Sequence, residues 1–332
     1  MAKPGPTNSI LDVDGIRIGH AHDAKLNSGT TVILCPDANA AGVDVRGGAP
    51  GLRDTELLSP ENIIGRADAI FLSGGSVFGL AAGDGIATAL SAQGIGIGKG
   101  KSSPKIPIVC GAILFDLANG GDKNWDAHTP YFGLGQQALE NAQNKQKNSP
   151  QLGKIGAAYG AKAGRVNGGI GSASLVLDNG ITVAALVAVN SIGSVFMPDG
   201  KTFWAQPFAI GDELGGQKMN PNQPVAVDPL PADCKPDSLA PGTNTTIGVI
   251  ATSARLDTAE CKRISLMGHD GYARAIRPVH TPFDGDTIFS ISGGSQPLSD
   301  GHKRAIELTE IGAAAADCMT RAIARGVYEA NR

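Results

Sequence analysis

The sequence is poor in aromatic side chains and in charge of either sign. Phe, Trp and Tyr make up 5% of the 332 residues, charged residues make up 18%, and the formal net charge is -3. A chain this close to neutrality is not expected to bind nucleic acid or an anionic membrane surface as its main partner. The composition favours a small, roughly neutral ligand instead.

Patterned cysteines and long apolar runs are also missing. The five cysteines are odd in number and none shows C-x-x-C spacing, which argues against a disulfide framework and a thiolate zinc site. The N-terminus lacks the apolar stretch of about 7 to 15 residues that a signal peptide needs, and no run reaches the roughly 18 apolar residues of a membrane helix. These absences predict a cytoplasmic protein without a membrane segment, a metal or a cofactor.

Glycine is abundant, with 46 residues, about twice its usual share. Short β-type runs alternate with helical patterns built from small residues, which predicts a layered α/β fold. The predicted strands are 30–35, 69–73, 106–110, 181–189, a run from Thr246, and 287–292; the predicted helices are 79–90, 131–144, 258–276 and about 300–330. No repeat or domain-sized linker interrupts the series, so we expect one domain over residues 1–332.

Residues 214–243 interrupt this pattern with six prolines and almost no periodic apolar face. An irregular stretch of this length inside a compact domain is uncommon and is usually functional or disordered. It ends at Asn244-Thr245-Thr246, immediately before the apolar run 247–251. Asn and Thr satisfy backbone groups in many turns, so turn chemistry is one interpretation of this junction.

A second interpretation makes Thr245 a nucleophile. A threonine hydroxyl needs a base beside it, and the α-amine of the same residue can serve once the preceding peptide bond is cut. The unperturbed pKa of that amine, about 7.7 to 8.0, suits a general base. This hypothesis requires cleavage between Asn244 and Thr245.

Three polar residues are candidates to support such a site. Asp284 and Asp286 flank a glycine just before a predicted strand, and paired acids can shift each other's pKa, although Asp-Gly is also a common solvated turn. Asn190 ends the apolar run 181–189, where its amide either caps the strand or stabilises an oxyanion.

Two glycine-rich segments offer backbone N–H groups. Ser73-Gly74-Gly75 precedes a predicted helix, whose N-terminus can bind an anion or an oxyanion, and we expect these three residues to bind substrate. Residues 160–171 combine Lys162 and Arg165 with glycines but match neither the P-loop nor the dinucleotide-binding pattern, which disfavours nucleotide binding.

Six segments occur in this order along the chain: 41–51 (AGVDVRGGAPG), 72–80 (LSGGSVFGL), 168–174 (GGIGSAS), 186–190 (LVAVN), 244–247 (NTTI) and 284–286 (DGD). Together they resemble the self-processing aminopeptidase family that includes the L-aminopeptidase/D-esterase-amidases, the β-aminopeptidases and the endo-type nylon-oligomer hydrolase. The resemblance implies a four-layer αββα sandwich, like that of N-terminal-nucleophile hydrolases but with different connectivity.

The resemblance also implies a cut between Asn244 and Thr245, which would give a large subunit, 1–244, and a small subunit, 245–332. The family's nucleophile maps onto Thr245, its amide onto Asn190, and the carboxylate pair of the nylon-type branch onto Asp284 and Asp286. The expected substrate is a small peptide or an oligoamide. The expected assembly is a homo-oligomer, a tetramer of processed heterodimers.

Two positions depart from the nylon-type pattern. The lysine of that branch aligns with Arg165, with Lys162 three residues earlier, so either cation could serve the site. Its tyrosine corresponds to Phe115, which has no phenolic donor and would alter substrate binding. Arginine cannot act as a base at ordinary pH, but either cation can hold charge.

Other functional classes are also compatible with parts of the pattern. A related fold with a processed threonine performs ornithine acetyltransferase chemistry, so acyl transfer to an amine is an alternative to hydrolysis. A non-catalytic, glycine-rich nucleotide-binding protein is a second alternative. A serine triad is not supported, because the sequence has no G-x-S-x-G elbow.

Overall fold

The computed structural model describes residues 1–35, 40–98, 103–144, 150–219, 228–235 and 244–332. The strands are β1 (Arg17–Asp23), β2 (Ser28–Leu34), β3 (Ala40–Val45), β4 (Leu52–Arg53), β5 (Ala69–Ser73), β6 (Val109–Ile113), β7 (Lys162–Ala163), β8 (Val166–Asn167), β9 (Ile170–Val176), β10 (Thr182–Asn190), β11 (Thr245–Arg255) and β12 (Thr287–Pro297). The α-helices are α1 (Ala81–Ala92), α2 (Tyr131–Gln143), α3 (Thr258–Ala275) and α4 (Gly301–Ala330).

Ten of these strands form two five-stranded sheets. The first has the order β1-β2-β5-β6-β4 and the second β3-β12-β11-β10-β9, while β7 and β8 pair as a small hairpin. In the second sheet β11 and β12 run parallel, and the other neighbouring pairs run antiparallel.

Three apolar cores separate four layers. Leu72 and Leu186 belong to the core between the two sheets. The neighbouring residues Phe71 and Val187 face outward, toward the α1–α2 layer and the α3–α4 layer respectively. Successive strand residues point to opposite faces, so each central strand is apolar on both sides. The predicted four-layer αββα sandwich is confirmed.

Glycine and alanine let the helical layers approach the sheets closely. A Cβ added to Gly19 of β1 would lie 2.0 Å from the carbonyl oxygen of Ala138 in α2. A Cβ at Gly171 of β9 would lie 1.8 Å from that of Ala322 in α4. The abundance of small residues therefore reflects backbone-to-backbone packing between layers.

Most predicted elements are present, with shifted ends. The helix predicted to open with Asp257 and Glu260 does so, because each side chain accepts a hydrogen bond from the other's backbone N–H, at 2.8 and 2.9 Å. The strand predicted over 106–110 begins later, at Val109. Pro107 has no N–H to give to a sheet, and Ile106 instead forms an isolated bridge with Ile97.

The irregular stretch predicted over 214–243 lies partly outside the described residues. Its described parts, 214–219 and 228–235, contain turns and no helix or strand. None of the helices in the described ranges is long and apolar enough to cross a membrane.

Candidate active site

Asn190 and Thr245 lie opposite each other at one end of the second sheet. Thr245 begins β11 and is the register partner of Asn190, the last residue of β10. The sequence predicted one strand that ends at residue 189 and another that begins at Thr246. In the structure the first strand includes Asn190 and the second includes Thr245. Asn190 is fully buried and Thr245 is 2% exposed.

The carbonyl of Asn244 is held between two donors. Its oxygen accepts a hydrogen bond from the N–H of Gly285, at 2.9 Å, and another from the Thr245 hydroxyl. A bridge between Asn244 and Asp284 continues the parallel pairing of β11 and β12 past the strand ends. The hydroxyl of Thr245 therefore lies against the peptide group that precedes it.

Gly285 makes room for that hydroxyl. A Cβ on Gly285 would come within 2.7 Å of Thr245 Oγ1 and 2.9 Å of the carbonyl oxygen of Ala49. Both distances are shorter than real Cβ contacts, so the glycine between the two aspartates is a steric requirement of the site.

Asp286 fixes the start of β11. One of its oxygens accepts from the N–H of Thr246 at 2.8 Å, and the other accepts from the backbone N–H of His280 at 3.1 Å. The imidazole Nδ1 of His280 lies 2.8 Å from the same second oxygen. This buried carboxylate thus joins the residue after Thr245 to the loop before β12.

Asp284 fixes the other side of the same loop. Its Oδ2 accepts from the N–H and the hydroxyl of Thr281, at 3.0 and 2.6 Å, and its Oδ1 lies 3.4 Å from the N–H of Ile192. Burial, with a further contribution from the negative charge of Asp286, raises the pKa of Asp284 to about 6.

Asn190 has a fixed side-chain orientation. Its Oδ1 accepts from the backbone N–H of Lys162 at 2.9 Å, while its Nδ2 donates to the carbonyl of Phe115 at 3.0 Å. Because one neighbour is a donor and the other an acceptor, the positions of the amide oxygen and nitrogen of Asn190 are defined. Phe115 therefore reaches the site through its backbone.

The two candidate cations have different surroundings. Lys162 contacts Asn190 through its backbone N–H, and its side chain is exposed. Arg165 is also exposed, and its backbone N–H donates to the carbonyl of Asp233 at 3.1 Å.

A third cation, Lys235, was missed by the sequence reasoning. Its Nζ lies 3.1 Å from Asn244 Oδ1 and 3.3 Å from Asn190 Oδ1. Burial lowers the pKa of Lys235 to about 7; Asp284 opposes this shift and Lys162 adds to it. Lys235 belongs to the proline-rich stretch, where no periodic pattern marks a residue as buried or exposed.

Ser73, Gly74 and Gly75 belong to a neighbouring polar cluster. The Ser73 hydroxyl lies 2.9 Å from that of Thr30, and the N–H of Gly74 donates to the carbonyl of Gly29 at 2.9 Å. The N–H of Gly75 donates to buried Asp116 at 2.8 Å. These two glycine N–H groups are thus bonded within the protein, and Asp116 directly follows Phe115 in the chain.

Comparison with known proteins gives consistent results over the whole chain. The model of peptidase family S58 matches residues 8–332. An uncharacterized aminopeptidase of Mycobacterium tuberculosis is 40% identical, over 97% of this chain and 94% of its own length. The 6-aminohexanoate-oligomer endohydrolase of Paenarthrobacter ureafaciens is 29% identical, over 94% of this chain and 84% of its own length.

Solved structures share the fold. A β-aminopeptidase from Burkholderia sp. superposes with a TM-score of 0.69 at 22% identity, covering 98% of this chain and 88% of its own. The L-aminopeptidase D-Ala-esterase/amidase of Ochrobactrum anthropi is described as a variant of the Ntn hydrolase fold. It superposes with a TM-score of 0.68 at 20% identity, covering 98% of this chain and 87% of its own.

The fold and these matches define an amide-bond hydrolase, as the sequence predicted. The resemblance noted from the six ordered segments is confirmed as well. The chain belongs to peptidase family S58.

Proposed function

We propose that this chain cuts itself between Asn244 and Thr245 and then hydrolyses amides with Thr245 as its N-terminal nucleophile. The products of the cut are fragments 1–244 and 245–332, which stay together as the large and small subunits. The observation that supports the proposal best is the contact of the Thr245 hydroxyl with the carbonyl of Asn244, whose oxygen also accepts from the Gly285 N–H.

Self-cleavage begins with attack of Thr245 Oγ on the carbonyl carbon of Asn244. The negative charge that develops on the carbonyl oxygen is stabilised by the Gly285 N–H, in the manner of an oxyanion hole. The C–N bond then breaks, the nitrogen of Thr245 takes a proton, and Asn244 is left as an ester on Thr245 Oγ. Water opens this ester and returns the hydroxyl.

In the cut protein the α-amine of Thr245 becomes the base. An unperturbed α-amine has a pKa of about 7.7 to 8.0, so it can take the proton of its own hydroxyl near neutral pH. The substrate carbonyl is attacked to give an acyl-enzyme, which water hydrolyses. We assign the second Nδ2 hydrogen of Asn190 to the oxyanion, since the first is bonded to Phe115.

Asp284 and Asp286 serve this mechanism by position and charge. Asp286 holds the N–H of Thr246, which keeps the nucleophile in place after the preceding peptide is gone. The carboxylate pair also compensates the positive charge that the α-amine gains during the reaction. Neither acid needs to bond Thr245 directly for these roles.

The substrates are small peptides or oligoamides. This range follows from the likeness to aminopeptidases and to a 6-aminohexanoate-oligomer endohydrolase. Peptides and oligoamides both contain amide bonds, so a panel of aminoacyl p-nitroanilides and 6-aminohexanoate oligomers samples the range.

The test compares Thr245→Ala with Thr246→Val. Thr246 is the matched control because it is also buried and its hydroxyl has no hydrogen-bond partner in the described part of the chain. We expect Thr245→Ala to remain one chain with no activity on the panel, and Thr246→Val to be cut and active. A Thr245→Ala protein that is still cut, or still hydrolyses amides, would contradict the assignment.

A further inference from the structure

The uncut chain lacks the base that the mature enzyme uses. Before cleavage the nitrogen of Thr245 is part of a peptide bond, so it cannot accept the proton of the hydroxyl. If the proposed self-cleavage occurs, on which this inference rests, another group must take that proton. The group has to lie beside the Asn244–Thr245 bond in the uncut protein.

The two carboxylates are poorly placed for this task. Both oxygens of Asp286 accept from N–H groups of Thr246 and His280, and Asp284 accepts from Thr281 and faces the N–H of Ile192. Proton uptake by Asp286 would weaken its bonds to the N–H groups of Thr246 and His280.

Lys235 hydrogen-bonds the side chains of two residues next to the bond that is cut. Its Nζ contacts the side-chain oxygen of Asn244, the residue whose carbonyl is attacked, and the side-chain oxygen of Asn190, which faces Thr245 across the strands. A lysine amine that has lost its proton carries a lone pair that can accept one, as in general-base lysines.

The burial of Lys235 favours a proton acceptor near neutral pH. Burial lowers the pKa of Lys235 to about 7, the carboxylate of Asp284 opposes the shift, and the ammonium of Lys162 adds to it. Asp286 affects Lys235 indirectly, because its negative charge raises the pKa of Asp284. A lysine in these surroundings is partly neutral at pH 7.

We propose that Lys235 is the general base of self-cleavage. Its amine takes the proton of Thr245 Oγ through one bridging water as Oγ bonds to the carbonyl carbon of Asn244. The resulting ammonium gives the proton to the nitrogen of Thr245 as the C–N bond breaks. Water then adds to the ester, leaving a carboxylate on Asn244 and the ammonium and hydroxyl on Thr245.

This assignment divides the chemistry between two bases. Lys235 belongs to fragment 1–244 and is needed once in the life of each molecule. The α-amine that the cut creates on fragment 245–332 serves every later turnover.

The test follows self-cleavage of full-length chains made by cell-free synthesis and moved into buffers from pH 5.5 to 8.5. Wild type is compared with Lys235→Met, Lys235→Arg, Lys235→Ala and the exposed-lysine control Lys303→Met, with thermal unfolding recorded for each. We expect the wild-type and control rates to rise through about pH 7. The Lys235 variants should be slower by roughly 10²-fold to 10⁴-fold, the usual contribution of a general base.

Chemical rescue separates proton transfer from support of the fold. Added ethylamine should restore part of the cleavage rate of Lys235→Ala, while leaving Lys235→Met and the control unchanged. Lys235 variants cut at the wild-type rate, with the wild-type pH profile, would overturn the inference and leave the proposed function intact. Rapid cleavage of Lys235→Arg would also overturn it, because arginine keeps its proton. A wild-type chain that stays whole would overturn both proposals.

Discussion

Asn190 is the antiparallel register partner of Thr245, so the last residue of β10 faces the first residue of β11. The pairing places the two residues side by side, and the carbonyl of Phe115 orients the Asn190 amide. Because both residues are held by strand hydrogen bonds and buried, their separation does not depend on side-chain mobility. Each feature of the site can be tested by changing one residue around this pair.

Asn190→Asp should damage both the site and the fold. A carboxylate cannot donate to the carbonyl of Phe115, which leaves two buried acceptors facing each other. A buried polar group left unsatisfied costs about 1 to 3 kcal/mol. We expect a drop of this size in the free energy of unfolding, measured with urea on uncut chains that carry Thr245→Ala, and at least tenfold slower self-cleavage when Thr245 is present.

Asn179→Asp is the control for this substitution. Asn179 lies in an exposed turn, and its Oδ1 accepts from the N–H of Ile181 at 3.1 Å, a bond that aspartate can also form. Equal stability of the two variants would contradict the role given to the Asn190 amide.

Gly285→Ala should obstruct the Thr245 hydroxyl sterically, without changing any charge or hydrogen-bonding group. The added methyl group would lie 2.7 Å from Thr245 Oγ1, so the hydroxyl or the loop must move. We expect self-cleavage and amide hydrolysis to slow by more than tenfold in gel and p-nitroanilide assays.

Gly133→Ala gives the matched comparison for Gly285→Ala. Gly133 lies on α2, and a Cβ there meets nothing within 4 Å among the described residues. Alanine should raise the stability of this exposed helix position by about 0.5 to 1 kcal/mol and leave cleavage unchanged. A fully active Gly285→Ala variant would show that the clash with Thr245 Oγ1 is irrelevant to the chemistry.

The raised pKa of Asp284 predicts how stability depends on pH. Its pKa is about 6 in the folded chain against the ordinary aspartate value of 3.8, so between these values the folded state binds more protons than the unfolded state. The contribution of Asp284 to the free energy of unfolding therefore falls as the pH rises from about 4 to 6. Asp284→Asn removes this dependence, because the amide does not ionise.

Urea unfolding of uncut chains that carry Thr245→Ala measures the effect across this pH range. The stability gained by adding Asp284→Asn to these chains should increase between about pH 4 and 6 and then level off. Asp270→Asn, at an exposed position on α3, is the control for the substitution itself. A flat difference for Asp284→Asn would mean that this carboxyl titrates normally.

The layers of the fold could be predicted from local patterns because most elements follow from local physics. The Asp257–Glu260 capping box and the apolar runs around Leu72 and Leu186 determine the type of each element. Their ends were less predictable. The start of β11 at Thr245 depends on pairing with Asn190, a contact between residues 55 positions apart in the sequence, which local propensity does not report.

The candidate site could be predicted where its residues stand in ordered motifs. Thr245, Asn190 and the two aspartates were singled out in this way, and the fold brings them together. Lys235 could not be predicted, because the irregular, proline-rich sequence around it has no periodic pattern that marks a residue as buried. The contribution of Phe115 was equally hidden, since it comes from a backbone carbonyl rather than from the side chain.

The most direct test of the central claim is the intact mass of the purified wild-type protein under denaturing conditions. The account predicts two polypeptides, 1–244 and 245–332, whose masses sum to the 33.8 kDa chain plus one water, with Thr245 at the N-terminus of the smaller one. A single uncut chain of 33.8 kDa that nevertheless hydrolyses amides would contradict it.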